Sequence, residues 1–506
     1  MDAQLEQWTH ERQIALRDAL REVPRCEYDE RYEVWGPVIC EHLNRSFAFL
    51  TNTSRVLFVM RSETRAGGLE MSTELLKEFC VRLSAISNLQ VVRNDKDQSV
   101  VLKGAEIAEI WRAHANCRMA SGTVFAPPGG PAPHPSLVNL YIPPQHRDDG
   151  DPNHPAVGVF RQHIIENLAD GDAVAGMFFI CWLAWMVQFP GEKMASCIIM
   201  YGPEGSGKGS VYKLMQRVLG SRYCASPPDL SLLFEKLSAD IFQQNILMFL
   251  DEVSWGGNKS DAGKLKALIT ESTATRRTHH QGARNYDQIS NFMIGSNHEY
   301  CAQVDKDGRR PCVLHTNGNL EAWKEAGDPR FHAIRDVFSL GQFAGEESDH
   351  HIVAYMRSLD LAATFDHRAP PLTRGREEVV IAGLDGLEGF WLKMLEEEPE
   401  WLFGKPFFKS QLEREFAYRD QHARAGKDRG SLLANLRRVA CVDVETLPKA
   451  RNPNSRKPEQ RWELKASYEQ CVQAFCAKKL PGKFQEIMAT HAANKKAAAE
   501  DEGLED

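Results

Sequence analysis

The stretch Ser196-Cys-Ile-Ile-Met-Tyr-Gly-Pro-Glu-Gly-Ser-Gly-Lys-Gly-Ser210 constrains the fold of this chain more than any other. Cys197 to Met200 is a short apolar run and reads as a buried strand. Gly202 to Gly207 break it into a glycine-rich loop, and Val211, Leu214, Met215 and Val218 then follow a helical period. Strand, loop and helix in that order make a phosphate cradle. Glycines let successive backbone N–H groups curl round an anion, the helix amino terminus adds positive potential, and Lys208 reaches the β- and γ-phosphates. The nucleotide-binding set is therefore Gly202, Pro203, Glu204, Gly205, Ser206, Gly207, Lys208, Gly209 and Ser210. One position departs from G-x-x-x-x-G-K-[ST]: Gly209 stands where a hydroxyl residue is usual, so the hydroxyl on the Mg2+ side is expected from Ser210.

A loop of this kind needs further strands to complete its site, and the chain supplies them. Asn245-Ile-Leu-Met-Phe-Leu250 is a second buried strand ending in Asp251-Glu252, about 43 residues after Lys208. Two acids after such a strand suit a Mg2+ ligand acting through water, Asp251, and a group that orients or deprotonates the attacking water, Glu252. Ser290-Asn-Phe-Met-Ile-Gly-Ser-Asn297 is a third buried strand, and Asn297 at its tip would sit beside a γ-phosphate. Between them lie an amphipathic segment, Asp261 to Glu271, and a hairpin, Ala274 to Asp287, whose tip region carries His279, His280 and Arg284. Arg309 and Arg310 precede a strand-like Cys312-Val-Leu and suit either a surface ion pair or a finger reaching a neighbouring subunit's nucleotide.

The flanks are less specific. Residues 1–119 combine helical and strand-like runs into an α+β region with no catalytic constellation, and Asp149 and Asp151 sit in a Pro/Gly-rich loop rather than on strands. Residues 120–155 read as a linker or extended arm, and 156–194 as a collar of two helices broken near Gly171-Asp172. The core is expected over 195–375, a winged-helix-like DNA-binding domain over 376–490, and a disordered acidic tail over 491–506. The net charge of −8 does not announce a nucleic-acid binder, so any such contact must be local. Residues 405–465 carry about 15 Lys and Arg against 8 Asp and Glu, with Arg437, Arg438, Lys449, Arg451, Arg456 and Lys457 among them. The loop Pro448 to Pro458, with Lys449, Arg451, Arg456 and Lys457, is the sharpest DNA-binding candidate. Twelve cysteines without a C-x-x-C pair fit neither zinc nor a disulfide framework, which points to a reducing cytosol. No signal peptide opens the chain, and the apolar run Met177 to Phe189 is too short to span a bilayer.

In motif order and spacing the chain resembles a superfamily 3 helicase domain, of the kind found in phage, plasmid and poxvirus-type primase-helicases. Gly202–Ser210, Ile246–Glu252, Lys264–Asp287, Ile294–Asn297 and Arg309-Arg310 carry the likeness, which extends upstream to about Asn139 and downstream through Thr373. The resemblance implies an AAA+-like α/β P-loop core in a homo-hexameric ring that hydrolyses ATP with Mg2+, moves along single-stranded DNA and opens forked duplex. Lys208, Asp251, Glu252, Asn297 and Arg309 or Arg310 would be its catalytic set, and Ser210 and Asp251 its metal side. His279, His280 and Arg284 would belong to its DNA-tracking hairpin, which carries His and Arg where relatives often carry Lys. It implies the cytosol of a bacterium or phage-infected host, with a primase or polymerase supplied by another chain. Two other readings stay open. One is an ATP-regulated DNA-binding or origin-recognition protein without strong unwinding. The other is a nucleotide kinase, since G-K-G-S also resembles the loop of nucleoside monophosphate kinases; it requires a lid and an acceptor pocket, neither of which is visible in the sequence.

Overall fold

The computed structural model describes residues 5–24, 26–61, 69–86, 90–93, 99–227, 244–251, 264, 267–277, 283–297, 310–338, 345–382, 384, 386–399, 401–419 and 432–502. Glu252, His279, His280 and Arg309 lie outside them, and so does the side chain of Arg284.

The amino-terminal region is a layer of helices on a small sheet. Helices α1 (His10–Glu22) and α2 (Arg31–Ser46) lead into strands β1 (Phe47–Leu50), β2 (Arg55–Arg61) and β3 (Leu69–Leu75). Helix α3 (Leu76–Ser84), the hairpin β4 (Gln90–Arg93) with β5 (Ser99–Val101), helix α4 (Gly104–Ala113) and strand β6 (Met119–Ala120) complete it. The sheet order is β3-β2-β1-β6, and Trp35, Phe47, Phe79 and Trp111 fill the core beneath the helices. The sequence suggests a helix from Thr73. Instead, β3 pairs with β2 as far as Leu75, and the Glu78 carboxylate accepts from the Leu75 N–H at 2.9 Å to start α3 one residue later.

Residues 120–155 run as an arm along the central region. Strands β7 (Gly122–Val124) and β8 (Leu137–Asn139) pair in parallel, and the Asn139 amide clamps both backbone groups of Ala126. Tyr141 stacks on Tyr223 at 5.2 Å, and His146 donates to the Val218 carbonyl at 2.8 Å.

The collar begins at α5 (Pro155–Gln162), with His154 as its N-cap and Pro155 at the first helical position, where a missing N–H costs nothing. One turn of π-helix, His163–Leu168, continues it, and Asp172 caps α6 (Ala173–Gln188) through the Ala175 N–H. Among the described residues no helix is long and apolar enough to cross a membrane; α6 instead buries Phe179, Trp182 and Met186 against the central sheet. Collar and sheet share one continuous core.

That sheet has five parallel strands. They are β9 (Cys197–Tyr201), β10 (Cys224–Ala225), β11 (Leu247–Leu250), β14 (Asn291–Ser296) and β15 (Pro311–His315), in the order β10-β11-β14-β9-β15. Helix α7 (Lys208–Leu219) follows β9, and the hairpin β12 (Thr273–Arg277) with β13 (Ala283–Asp287) stands between β11 and β14 in sequence. Strands β9, β11, β14 and β15 are buried over nearly their whole length, as parallel strands covered on both faces must be. Helices α8 (Asn319–Ala326), α9 (Pro329–Phe338) and α10 (Gly345–Ser358) close the region. Arg217 of α7 grips Asp349 of α10 with two hydrogen bonds, 2.6 and 2.9 Å, and both side chains are nearly buried.

After α11 (Arg374–Ala382) comes a second core. Helices α12 (Gly386–Glu397), α13 (Lys409–Arg419) and α14 (Leu432–Ala440) pack on a three-stranded antiparallel sheet. It is built from β16 (Phe407–Phe408), β17 (Val444–Arg451) and β18 (Pro458–Leu464) in the order β16-β18-β17. Helices followed by a two-stranded ribbon have the element order of a winged helix. Phe407 and Phe408, which the sequence assigns to a helix, are instead the short third strand, with Phe407 opposite Trp462. The ribbon runs further than the sequence suggests: β17 takes in Pro448, and the register shifts between Leu447 and Ala450, where proline cannot donate to the ladder. Helices α15 (Tyr468–Lys479) and α16 (Phe484–Glu502) end the described chain. The expectation of a disordered tail from residue 491 is corrected here. Helix α16 continues to Glu502, because its Ala-rich composition favours helix and Ile487 and Met488 anchor its first turns in the core.

Candidate functional site

The sheet order explains how the three sequence motifs meet. Strand β14 lies between β9 and β11, with Ile294 paired to both Ile199 and Leu250. Asn297, one residue past β14, therefore stands between the loop after β9 and Asp251, one residue past β11. Gly295 keeps the space open, since a Cβ there would stand 3.0 Å from Asp251 Oδ1.

The loop itself has a glycine backbone. Gly202, Gly205 and Gly207 have φ of +144°, +75° and +92°, values that L side chains rarely adopt. Gly202 also lies so close to Thr316 that a Cβ would come within 2.2 Å of its carbonyl oxygen. Thr316 Oγ1 donates to Ser206 Oγ at 2.9 Å and so holds the loop from below. Lys208 is 7% exposed. Its ammonium donates to Gly202 O at 2.8 Å, Pro203 O at 2.9 Å and Asn297 Oδ1 at 3.0 Å. A buried ammonium costs several kcal/mol without partners, and the oxygens of Gly202, Pro203 and Asn297 are among those it has here. A phosphate arriving in the cradle would offer this cation a negative charge.

Ser210 does not sit where the sequence expects it. Its hydroxyl donates to Gly207 O at 2.6 Å and lies 3.1 Å from Nε2 of His163, on the collar side of α7. Moving a hydroxyl one position along a helix turns it by about 100°, so a hydroxyl at 210 faces a different way from one at 209. At Gly209 a Cβ would meet only Phe249, at 3.9 Å, so the usual hydroxyl position is open space. Asp251 is exposed at the carboxyl end of β11, on the ligand side. Among the described residues no group of three or more His, Cys, Asp or Glu side chains could hold a metal ion alone. A single exposed carboxylate such as Asp251 fits the chemistry of Mg2+, which takes one or two carboxylates and completes its shell with water and phosphate oxygens.

Arg310 is far from this site in its own chain. The Cys197 N–H donates to its carbonyl at 3.0 Å, at the start of β9 and β15, whereas the loop leaves their far ends. A five-residue strand spans about 16 Å, so Arg310 stands about that far from the loop of its own chain. The hairpin pairs Arg276 with Arg284, and its base is held by the Gln288 N–H on Ser272 O at 2.7 Å; His279 and His280 lie outside the described residues. Lys449, Arg451, Arg456 and Lys457 are all exposed on the β17–β18 ribbon and its turn. Arg437 and Arg438, counted with them in the sequence, are also exposed; Arg437 donates to Val444 O at 2.7 Å, and Arg438 pairs with Glu388 at 3.4 Å.

Sequence reading missed the residues that support the loop, Thr316, His163, Asn167 and Asn317. None of them belongs to a motif, and periodicity gives such residues no signal.

The strand order, the glycine cradle and the lysine define an α/β protein with a parallel-sheet, P-loop-like core. A family model described as DUF5906, a family of unknown function, matches residues 200–310, which span the loop through Arg310. No curated protein matches the chain by sequence. Among solved structures, the chain is similar to the apo structure of the NrS-1 C terminal region (305–718), at 15% identity and TM-score 0.52, over 83% of this chain and 95% of that one. A second structure of that region, in its A form, gives 14% and 0.52 over 83% and 96%. The likeness extends to the fold. The X-ray structure of JCV helicase, at 12% identity and TM-score 0.21, is too distant to carry an argument.

Proposed function

We propose that the chain is an ATP-hydrolysing motor that assembles as a homo-hexameric ring, translocates on single-stranded DNA and opens forked duplex, in the manner of superfamily 3 helicases. The observation that carries the proposal is the junction of Lys208, Asn297 and Asp251 at one end of a parallel sheet. Lys208 would exchange its carbonyl partners for β- and γ-phosphate oxygens. Asn297, released from the lysine, would place the attacking water, and Glu252 would take its proton. Bound Mg2+ would neutralise the charge on the same phosphates; Asp251 would hold it through water. Gly209 leaves room for that water where a hydroxyl is usual. Arg309 or Arg310 would complete the site of the adjacent subunit, and the hairpin and the wing would contact DNA. A separate primase or polymerase would act with it in the cytosol of a bacterium or phage-infected host.

ATP turnover with and without single-stranded DNA tests this. The wild type should be stimulated by DNA, and Lys208→Ala and Glu252→Gln should lose turnover. DNA binding without stimulated turnover would favour a recognition protein that uses ATP only for assembly. Phosphate transfer to a small acceptor by a monomer would favour a kinase.

A further inference from the structure

Behind the phosphate loop runs a chain of hydrogen bonds that the reaction outlined above does not use. A serine hydroxyl has one hydrogen. That of Ser210 goes to Gly207 O at 2.6 Å, so at the 3.1 Å contact His163 Nε2 must be the donor. His163 Nδ1 is then bare and accepts from Asn167 Nδ2 at 3.2 Å. All three hydrogens point the same way, from the collar to the loop. His163 and Asn167 are fully buried, and burial holds the imidazole at a pKa of about 4, so it is neutral near pH 7 and its tautomer is fixed. The ring also touches the loop directly: a Cβ on Gly207 would lie 2.7 Å from His163 Cε1. Phe338 meets the ring edge-on at 4.8 Å and blocks its rotation.

Both histidine and asparagine lie in the π-helical turn His163–Leu168, the irregular part of the collar. The other side of that turn is tied to the segment after β15. The Asn317 N–H donates to Asn167 O at 3.0 Å, and its amide donates to Glu166 O at 2.6 Å. One π-turn thus holds both the start of α7 and the exit of β15. Gly207 and Gly209 leave that start with little stiffness of its own.

We propose that His163 is a positioning residue for nucleotide binding. Through Ser210 it fixes the Gly207–Ser210 turn from the collar side, so that the phosphate-binding shape of the loop depends on the collar's π-turn. The proposal rests on the nucleotide-binding role of Lys208. It also gives the displaced hydroxyl a purpose: at position 209 it would face the ligand, whereas at 210 it links the loop to the neighbouring helix.

The test is the affinity of the full chain for a slowly hydrolysed ATP analogue with Mg2+, without DNA, read beside thermal unfolding. His163→Ala and Ser210→Ala should each weaken binding about tenfold, and the double variant about as much as either alone, because they break one chain. His163→Gln, whose amide N–H falls near Nε2, should recover most of the affinity. Leu168→Ala, a buried apolar change in the same turn, should lower the unfolding temperature and leave affinity alone. Unchanged affinity in Ser210→Ala and His163→Ala, with binding lost in Lys208→Ala, would overturn the proposal while leaving the motor reading standing. Losses that multiply in the double variant would also overturn it. A wild type that binds no analogue would sink both readings.

Discussion

At the scale of single residues, two side chains carry most of the chemistry proposed here. Lys208 and Asn297 are already joined at 3.0 Å, so the loop and the β14 tip are pre-arranged. Asn297→Ala should reduce kcat for ATP by about 10²-fold, the size of effect seen when one oriented polar group is removed from such a site. Analogue affinity should fall much less, and steady-state kinetics beside equilibrium binding separates the two. His163 gives a pH signature. Its pKa is lowered by burial from 6.5 to about 4 in the folded protein. The unfolded chain therefore takes up this proton first. Its contribution to stability is complete above about pH 6.5 and is lost as pH falls towards 4. Unfolding of His163→Gln, compared with wild type at pH 7 and pH 5, should show a smaller loss on acidification. An equal loss in both would mean the histidine is not buried neutral.

At the scale of elements, the loop is held by helices on both sides. Arg217 ties α7 to α10 through Asp349, and the pair is nearly dry. Asp349→Ala would leave the buried Arg217 guanidinium on the carbonyls of Val337 and Phe338 without this counter-charge, and should cost about 3 kcal/mol, seen as a lower unfolding temperature. The wing is the other element with a definite prediction. Lys449, Arg451, Arg456 and Lys457 are exposed on one hairpin, and Arg437, also exposed, is bonded to Val444 O between α14 and β17. Lys457→Ala should weaken DNA binding about evenly across sequences and reduce the salt slope by about one, whereas Arg437→Ala should act on stability. Titrations at several salt concentrations distinguish them. The elements also show what periodicity reads well. Strands β9, β11, β14 and β15 and the two collar helices follow the sequence pattern because burial on both faces, or a cap such as Asp172, leaves an unbroken mark; the two-residue β10 leaves none. Phe407 and Phe408 were misread because two aromatic residues before an amphipathic run satisfy a helical period as well as a strand edge. Only the partner Trp462, 55 residues away, decides between them.

At the scale of the whole molecule, sequence motifs indicate which residues belong to the site, but not that β14 separates β9 from β11. That arrangement, which puts Asn297 between lysine and aspartate, depends on strand order, and strand order is a long-range property. The Ser210 contact was illegible for the same reason: His163 lies 47 residues away, in a helix with no motif. Arg310 shows what a single chain lacks. It stands about one strand length, roughly 16 Å, from its own loop. If it serves a neighbouring subunit, Lys208→Ala and Arg310→Ala chains, each inactive alone, should partly restore ATP turnover when mixed, because some interfaces would pair an intact loop with an intact arginine. No recovery on mixing would remove Arg310 from the site. The central claim is that ATP turnover drives movement along a strand, and the most direct measurement is strand separation of a labelled forked duplex. The account predicts ATP-dependent separation by a ring-sized assembly of the wild type, abolished in Lys208→Ala although that variant still binds the fork. Fork binding with no ATP-dependent separation, by a protein that hydrolyses ATP at the same rate with and without DNA, would contradict it.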